Sequence, residues 1–303
     1  MINFAGQKLF DMKRVVLFLA AMLLLVGCAH EYNQVYKTND IIYKYEYAKE
    51  CFIRGQYVRA STLLLDVISF TKGRDNAEES LYMLGMAQFL SDDYEGAAAT
   101  FKKYAQAYQK GGQFTDLAQF YAGQSLYMST PEPRLDQSGT YEAIAAFQEF
   151  LDRFPQSSHK EEAQNRLFEL QDKLVRKELY SAQLYYDLGP YFGNCGFGGN
   201  NYEACIITAQ NALKDYPYSS LREEFALLIM KSKFELAQMS VESKRLDRYQ
   251  DAMDECYGFV NEYPDSKHKA LAEKFIAKCR LVTENAKSEL TAVSSETPST
   301  ANQ

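Results

Sequence analysis

Apolar positions along residues 40–283 group into helical runs separated by turn-forming residues, and three of these runs share one register. The first reads Tyr47-Ala48, Gly55-Gln56-Tyr57, Ala60, Leu64 and Val67. The second reads Leu84-Gly85, Asp93-Tyr94, Ala97, Phe101 and Tyr104. The third reads Ala122-Gly123, then an insertion through Pro131 and Pro133, then Tyr141, Ala143, Phe147 and Phe150. A small residue on each helix of a pair lets the two backbones touch, and the aromatic rings fill the gap to the next pair. One such hairpin cannot bury its own apolar face, so the pattern predicts a stack.

Phe154-Pro155-Gln156-Ser157, Tyr216-Pro217-Tyr218-Ser219 and Tyr263-Pro264-Asp265-Ser266 are three further echoes of one signal. Proline stops a helix and the following Ser or Asp caps the next. The spacing of small and large residues resembles the tetratricopeptide repeat. The expected fold is therefore all-α, a solenoid of about five tetratricopeptide-like hairpins over residues 40–72, 77–110, 114–155, 178–217 and 221–264, with a closing helix to about Thr283. The 284–303 segment is Ser/Thr/Ala-rich and reads as a disordered tail. A glycine-rich stretch, Gly189 to Asn201, interrupts the fourth hairpin, but it has neither phosphate-loop order nor a preceding strand.

Residues 1–27 read as an address. Lys13-Arg14 precedes the apolar run Val15 to Val26, too short to span a bilayer and suited to a secretory signal. The run ends in Leu25-Val26-Gly27-Cys28, which resembles the lipobox of bacterial lipoproteins. That resemblance implies a diacylglycerol on Cys28, and two or more acyl chains anchor stably. Met12 heads a cleaner signal than Met1. Residues 28–39 read as a polar tether, and Ala29 after the cysteine favours the outer membrane by the lipoprotein sorting rule.

Composition narrows the function. Gly 16 and Pro 7 are few for an all-β chain, and Tyr 23 with Phe 19 against Trp 0 supply most of the large apolar surface. The net charge of -7 falls to about -9 without the signal segment, which repels nucleic acid. Beyond Cys28 the cysteines are Cys51, Cys195, Cys205, Cys256 and Cys279, an odd number. Cys51 reads as a small buried hydrophobe, and spacing leaves Cys195 with Cys205, or Cys256 with Cys279, as open pairings. Without a CxxC, and with His30, His159 and His268 scattered, no metal site or cofactor is expected. His159 and His268 hold the same place after a proline turn, as surface or capping residues. No base stands near Cys195 in sequence, so the chain reads as a binding protein and not an enzyme.

The lipobox, the hairpins, and the segment Lys177-Glu178-Leu179-Tyr180-Ser181-Ala182-Gln183-Leu184-Tyr185-Tyr186 leading to Leu213-Lys214-Asp215-Tyr216-Pro217 together resemble the BamD family, over about residues 25–285. These are lipoproteins of the outer-membrane β-barrel assembly machinery. The resemblance implies a place on the periplasmic face of the outer membrane and contact with the periplasmic domains of BamA and other assembly lipoproteins. Help in delivering and inserting unfolded outer-membrane proteins is implied as well. The glycine-rich segment and the insertion at 131–139 depart from the family pattern, and with the high Tyr content they suit a Bacteroidetes-like member. Two alternatives are a SusD-like glycan-binding lipoprotein, disfavoured by Trp 0, and a generic tetratricopeptide scaffold of the envelope.

Two sites are expected. Counting first helices from Ile41, Glu78 and Asp116 places Tyr45, Tyr82 and Phe120 at the fifth position and Phe52, Phe89 and Tyr127 two turns later. In this repeat class that face lines the concave side. With Lys49 and Met86 one turn away, it reads as a peptide groove for extended segments ending in an aromatic residue; the alternative is that the rings merely pack neighbouring hairpins. The C-terminal hairpins, 178–283, are expected to hold the stable partner, with Val241 to Tyr249 as a mixed-charge connection setting its register.

Overall fold

The computed structural model describes residues 31–109, 111–189, 191 and 200–295, the side chains of 287 and 289–295 excepted. Every regular element among them is a helix. A short α1 covers residues 31–37. It is followed by α2 (Ile41–Ile53), α3 (Tyr57–Thr71), α4 (Ala77–Leu90), α5 (Tyr94–Ala107), α6 (Thr115–Ser129) and α7 (Ser138–Arg153). The rest are α8 (Lys160–Asp187), α9 (Asn201–Asp215), α10 (Arg222–Gln238), α11 (Glu242–Glu262) and α12 (Lys269–Ser295). This is the all-helical, tetratricopeptide-like arrangement of the sequence pattern. Contacts divide the chain into two compact units, one holding the chain to Thr130 with Ser138–Leu167, the other Pro131–Gln137 with Phe168 onward. The single repeat block expected over 40–283 is thus divided within α8, and the insertion loop belongs to the second unit.

In the first unit the small positions do what their size requires. Gly85 on α4 and Gly123 on α6 face the rings of Phe101 and Phe147 at distances no β-carbon would comfortably share. Ala48, Ala60, Ala97 and Ala143 are fully buried beside them. Gly55 takes φ +73° in the turn between α2 and α3, a conformation that favours glycine. In the second unit one core joins α8, α9 and α10 through Val175, Ala182, Cys205, Ala209, Phe225 and Ile229. Another joins α10, α11 and α12, where the Phe234 and Phe275 rings stack at 3.9 Å.

The proline turns carry the capping chemistry expected of them. The hydroxyl oxygens of Ser157, Ser219 and Ser266 accept from the backbone N–H groups of His159 (3.3 Å), Leu221 (3.1 Å) and His268 (3.0 Å). At the start of α2, Asp40 Oδ1 accepts from the Tyr43 N–H at 3.0 Å.

Four expectations are corrected. The tether at 28–39 contains α1, because Tyr32, Val35 and Tyr36 recur at helical spacing and Val35 is fully buried against the first hairpin. The first helix of the fourth pair begins at Lys160 and not at 178. Its early turns bury only a thin line, Ala163, Leu170 and Leu174, among many charges, so the sequence reads as polar. Val241 to Tyr249 is no connection but largely the opening turns of α11. There Arg245 pairs with Glu242 at 3.5 Å, and Arg248 reaches Glu203 on α9 at 2.8 Å. Finally, α12 runs to Ser295, past the tail boundary at 284. Thr283 is the last buried residue among the described side chains, so helix-forming residues such as Glu284, Ala286 and Lys287 extend the helix by local propensity.

Candidate functional site: an aromatic face on the first three hairpins

The predicted groove residues lie on α2, α4 and α6, all in the first unit. Aligning Ala48, Gly85 and Gly123 makes three rows across the helices. Tyr45, Tyr82 and Phe120 form one; Lys49, Met86 and Gln124 the second; Phe52, Phe89 and Tyr127 the third.

The first row is tied most deeply into the packing. Tyr45 is 5% exposed and its hydroxyl donates to Glu79 Oε2 on the next hairpin at 2.8 Å. Burial, and then the bond to Glu79, raise the Tyr45 hydroxyl well above the ordinary phenol range. Phe120 is 2% exposed, with His159 stacked on it at 4.4 Å and Phe150 edge-on at 5.6 Å. Tyr82 is half-buried and stacks on Phe114 at 4.4 Å. Its hydroxyl is pushed up to about 12, by burial first and then by Tyr121 and Asp116. Tyr45 and Phe120, both predicted to line a groove, are thus too buried to present a ring at the surface.

The second row differs in chemistry from hairpin to hairpin. The Lys49 ammonium stands 3.7 Å from Glu79 Oε1 and 5.1 Å from the centre of the Tyr45 ring. Glu79 therefore holds both the Tyr45 hydroxyl and the Lys49 charge. Met86 is half-buried in the aromatic cluster with Tyr82, Phe89 and Tyr121. Gln124 is 7% exposed, and its buried Oε1 accepts no hydrogen bond from the described residues. Buried amide oxygens are rarely left so.

In the third row one contact repeats. Phe52 meets Tyr57 edge-on at 5.5 Å, and Phe89 meets Tyr94 the same way at 5.6 Å. Phe89 also packs on Tyr121 at 5.2 Å. Tyr127 lies under the Arg166 guanidinium at 4.6 Å, and Arg166 Nη1 donates to its hydroxyl oxygen at 3.4 Å. The accessible side chains of the three rows supply half-exposed ring faces and an ammonium shared with a carboxylate.

Three members escaped the sequence reading: Glu79, Gln124 and Arg166. Gln124 had a signal, since it shares the register of Lys49 and Met86. Arg166 had none, because it sits on α8, thirty-nine residues from the tyrosine it covers. Cys28, the lipidation candidate, lies outside the described residues, as does Cys195. Cys51, Cys205, Cys256 and Cys279 are buried free thiols. No described helix is long and apolar enough to cross a membrane. A family model named YfiO, described as an outer membrane lipoprotein, matches residues 38–240, more than half of the chain. No curated protein matches it.

Proposed function

The chain belongs to the YfiO family of outer membrane lipoproteins, and from that premise we propose that it is a lipid-anchored scaffold of the β-barrel assembly machinery. Cys28 carries the anchor and holds the protein on the periplasmic face of the outer membrane. The first unit receives segments of unfolded outer-membrane proteins, and the second unit holds the periplasmic domains of BamA beside other assembly lipoproteins. Tyrosine content and the two insertions favour a Bacteroidetes-like branch of the family.

The observation that carries the peptide reading is the set of half-exposed aromatic side chains, with Met86, on α2, α4 and α6. Half-exposed Tyr82, Met86, Phe89, Phe52 and Tyr127 would offer a client apolar surface along one face. Tyr45 and Phe120 would support that surface from below. Lys49 would meet a terminal carboxylate. Photo-crosslinking to a peptide ending in Phe tests this: Tyr82→Ala with Phe89→Ala should lower the yield several-fold in a protein that keeps its helicity. An unchanged yield would refute the groove.

A further inference from the structure

The anchored end of the chain returns to the tip of the first hairpin. α1 begins at residue 31 and lies beside the last turns of α2 and the first turns of α3: the Arg59 guanidinium sits 5.1 Å from the Tyr32 ring. Glu31 acts electrostatically on Cys51, as do Arg54 and Arg59. Glu31 and Tyr32 are therefore at the 51–59 end of the hairpin. Two residues lie between Cys28 and Glu31, so a fully extended link keeps a lipidated cysteine within about 10 Å of the start of α1.

That tip has the composition of a lipid contact. Ile53 is 82% exposed and Val58 is 66% exposed, one on each side of the turn. Leu65, two turns further along α3, is 57% exposed. Between Glu50 and Asp66 the chain has no acidic residue but carries Arg54 and Arg59. Arg54 pairs with Glu50 at 3.1 Å in the open, and half-buried Arg59 donates to Gln56 Oε1 at 3.2 Å. Exposed aliphatic residues flanked by arginines match a bilayer boundary, where apolar side chains seat among acyl chains and guanidinium groups meet phosphates.

We propose that the tip of the first hairpin is a membrane-docking surface, with Ile53 and Val58 entering the acyl boundary and Arg54 and Arg59 on lipid phosphates beside the anchor. This rests on the reading of Cys28 as lipidated. Docking would fix the orientation of the first hairpin on the membrane, where a flexible anchor alone would leave it free to turn.

The absence of Trp from the sequence makes the test direct. Ile53→Trp and, separately, Val58→Trp each place a sole tryptophan at the tip. Ile42→Trp places it at a 70% exposed site on the same helix, eleven residues back and about 16 Å along the axis. The full lipidated protein is reconstituted into phosphatidylethanolamine–phosphatidylglycerol vesicles with brominated acyl chains, and its mass confirms the lipid on Cys28. Tryptophan at 53 and 58 should be quenched at least about twofold more than at 42, since bromine quenches only residues within the boundary. Adding Arg54→Glu to the Ile53→Trp protein should reduce its quenching. Equal quenching at 42 and 53, or none at either in a lipidated protein, overturns the docking surface alone. A chain with no lipid on Cys28 overturns the anchoring reading and the docking surface with it.

Discussion

Gly85 on α4 lies against the ring of Phe101 on α5, and a β-carbon on Gly85 would stand 2.7 Å from Cε1 of that ring. Phe101 is fully buried, so its ring has little room to retreat. Gly85→Ala is therefore expected to lower stability by about 1–3 kcal/mol, as overpacking in a close-fitted core does. Gly258 on α11 is exposed with open space around it, and Gly258→Ala should raise stability by up to about 1 kcal/mol through helix propensity. Urea denaturation of the two variants checks the pair. Equal effects would mean that the small positions are not there to admit a ring.

Gln124→Met should stabilise the free protein. An acceptor without a partner, buried at 7% exposure, carries a desolvation penalty of about 1–3 kcal/mol, and the thioether removes it at similar volume. The register supports the choice, because Met86 occupies the equivalent place on α4. A higher denaturation midpoint identifies the unmet acceptor as a cost to the fold. A lower midpoint would mean that the amide serves the fold.

Much of this was legible in the sequence, and what was not has a physical reason. The Ala/Gly and aromatic spacing located α2 to α7 because close packing leaves few alternatives at those positions. α8 was half missed, since a helix that buries only a thin line in its early turns looks polar throughout. α1 was missed because a seven-residue helix rests on one buried side chain, Val35, and its cover. At the site, the register of Tyr45, Tyr82 and Phe120 was readable, but which rings would be covered was not. Coverage depends on His159 and Arg166, brought in from a distant turn and helix.

The thiols of Cys256 and Cys279 share one apolar cluster between α11 and α12. Burial, followed by the neighbouring Cys279, pushes Cys256 up to about 12, and burial pushes Cys279 up to about 11. Alkylation near neutral pH should be slow in the folded protein and fast in denaturant. The ordinary value is 9.0, so the folded state favours the neutral thiol. Its contribution is complete below about pH 9 and is lost as pH rises toward 11–12. The denaturation midpoint should fall across that window more steeply in the natural protein than in Cys256→Ala/Cys279→Ala. Parallel slopes would exclude the thiols as the cause.

Glu79 sets the last expectation, because it satisfies the buried Tyr45 hydroxyl and also the Lys49 charge that a client could use. One oxygen accepts from the Tyr45 hydroxyl at 2.8 Å, and the other stands 3.7 Å from the Lys49 ammonium. The Lys49 and Glu79 side chains are 34% and 50% exposed, so water screens their attraction, and such pairs are worth about 0–1 kcal/mol. A peptide carboxylate approaching Lys49 must nevertheless displace or share that partner while meeting its negative charge. Glu79→Gln keeps an oxygen for Tyr45 and removes the charge. It should therefore tighten binding of a peptide with a free carboxyl terminus by about two- to fivefold, the range that 1 kcal/mol or less allows. The same peptide with an amidated end should be unaffected, and Lys49→Met should abolish the difference between the two. Removing the carboxylate also removes one cause that raises the Tyr45 hydroxyl, so that group should titrate lower in the variant while remaining above the ordinary phenol value through burial. If the free and amidated peptides respond to Glu79→Gln alike, Lys49 is not the group that reads a chain end, and the charge pair belongs to the packing of the first two hairpins.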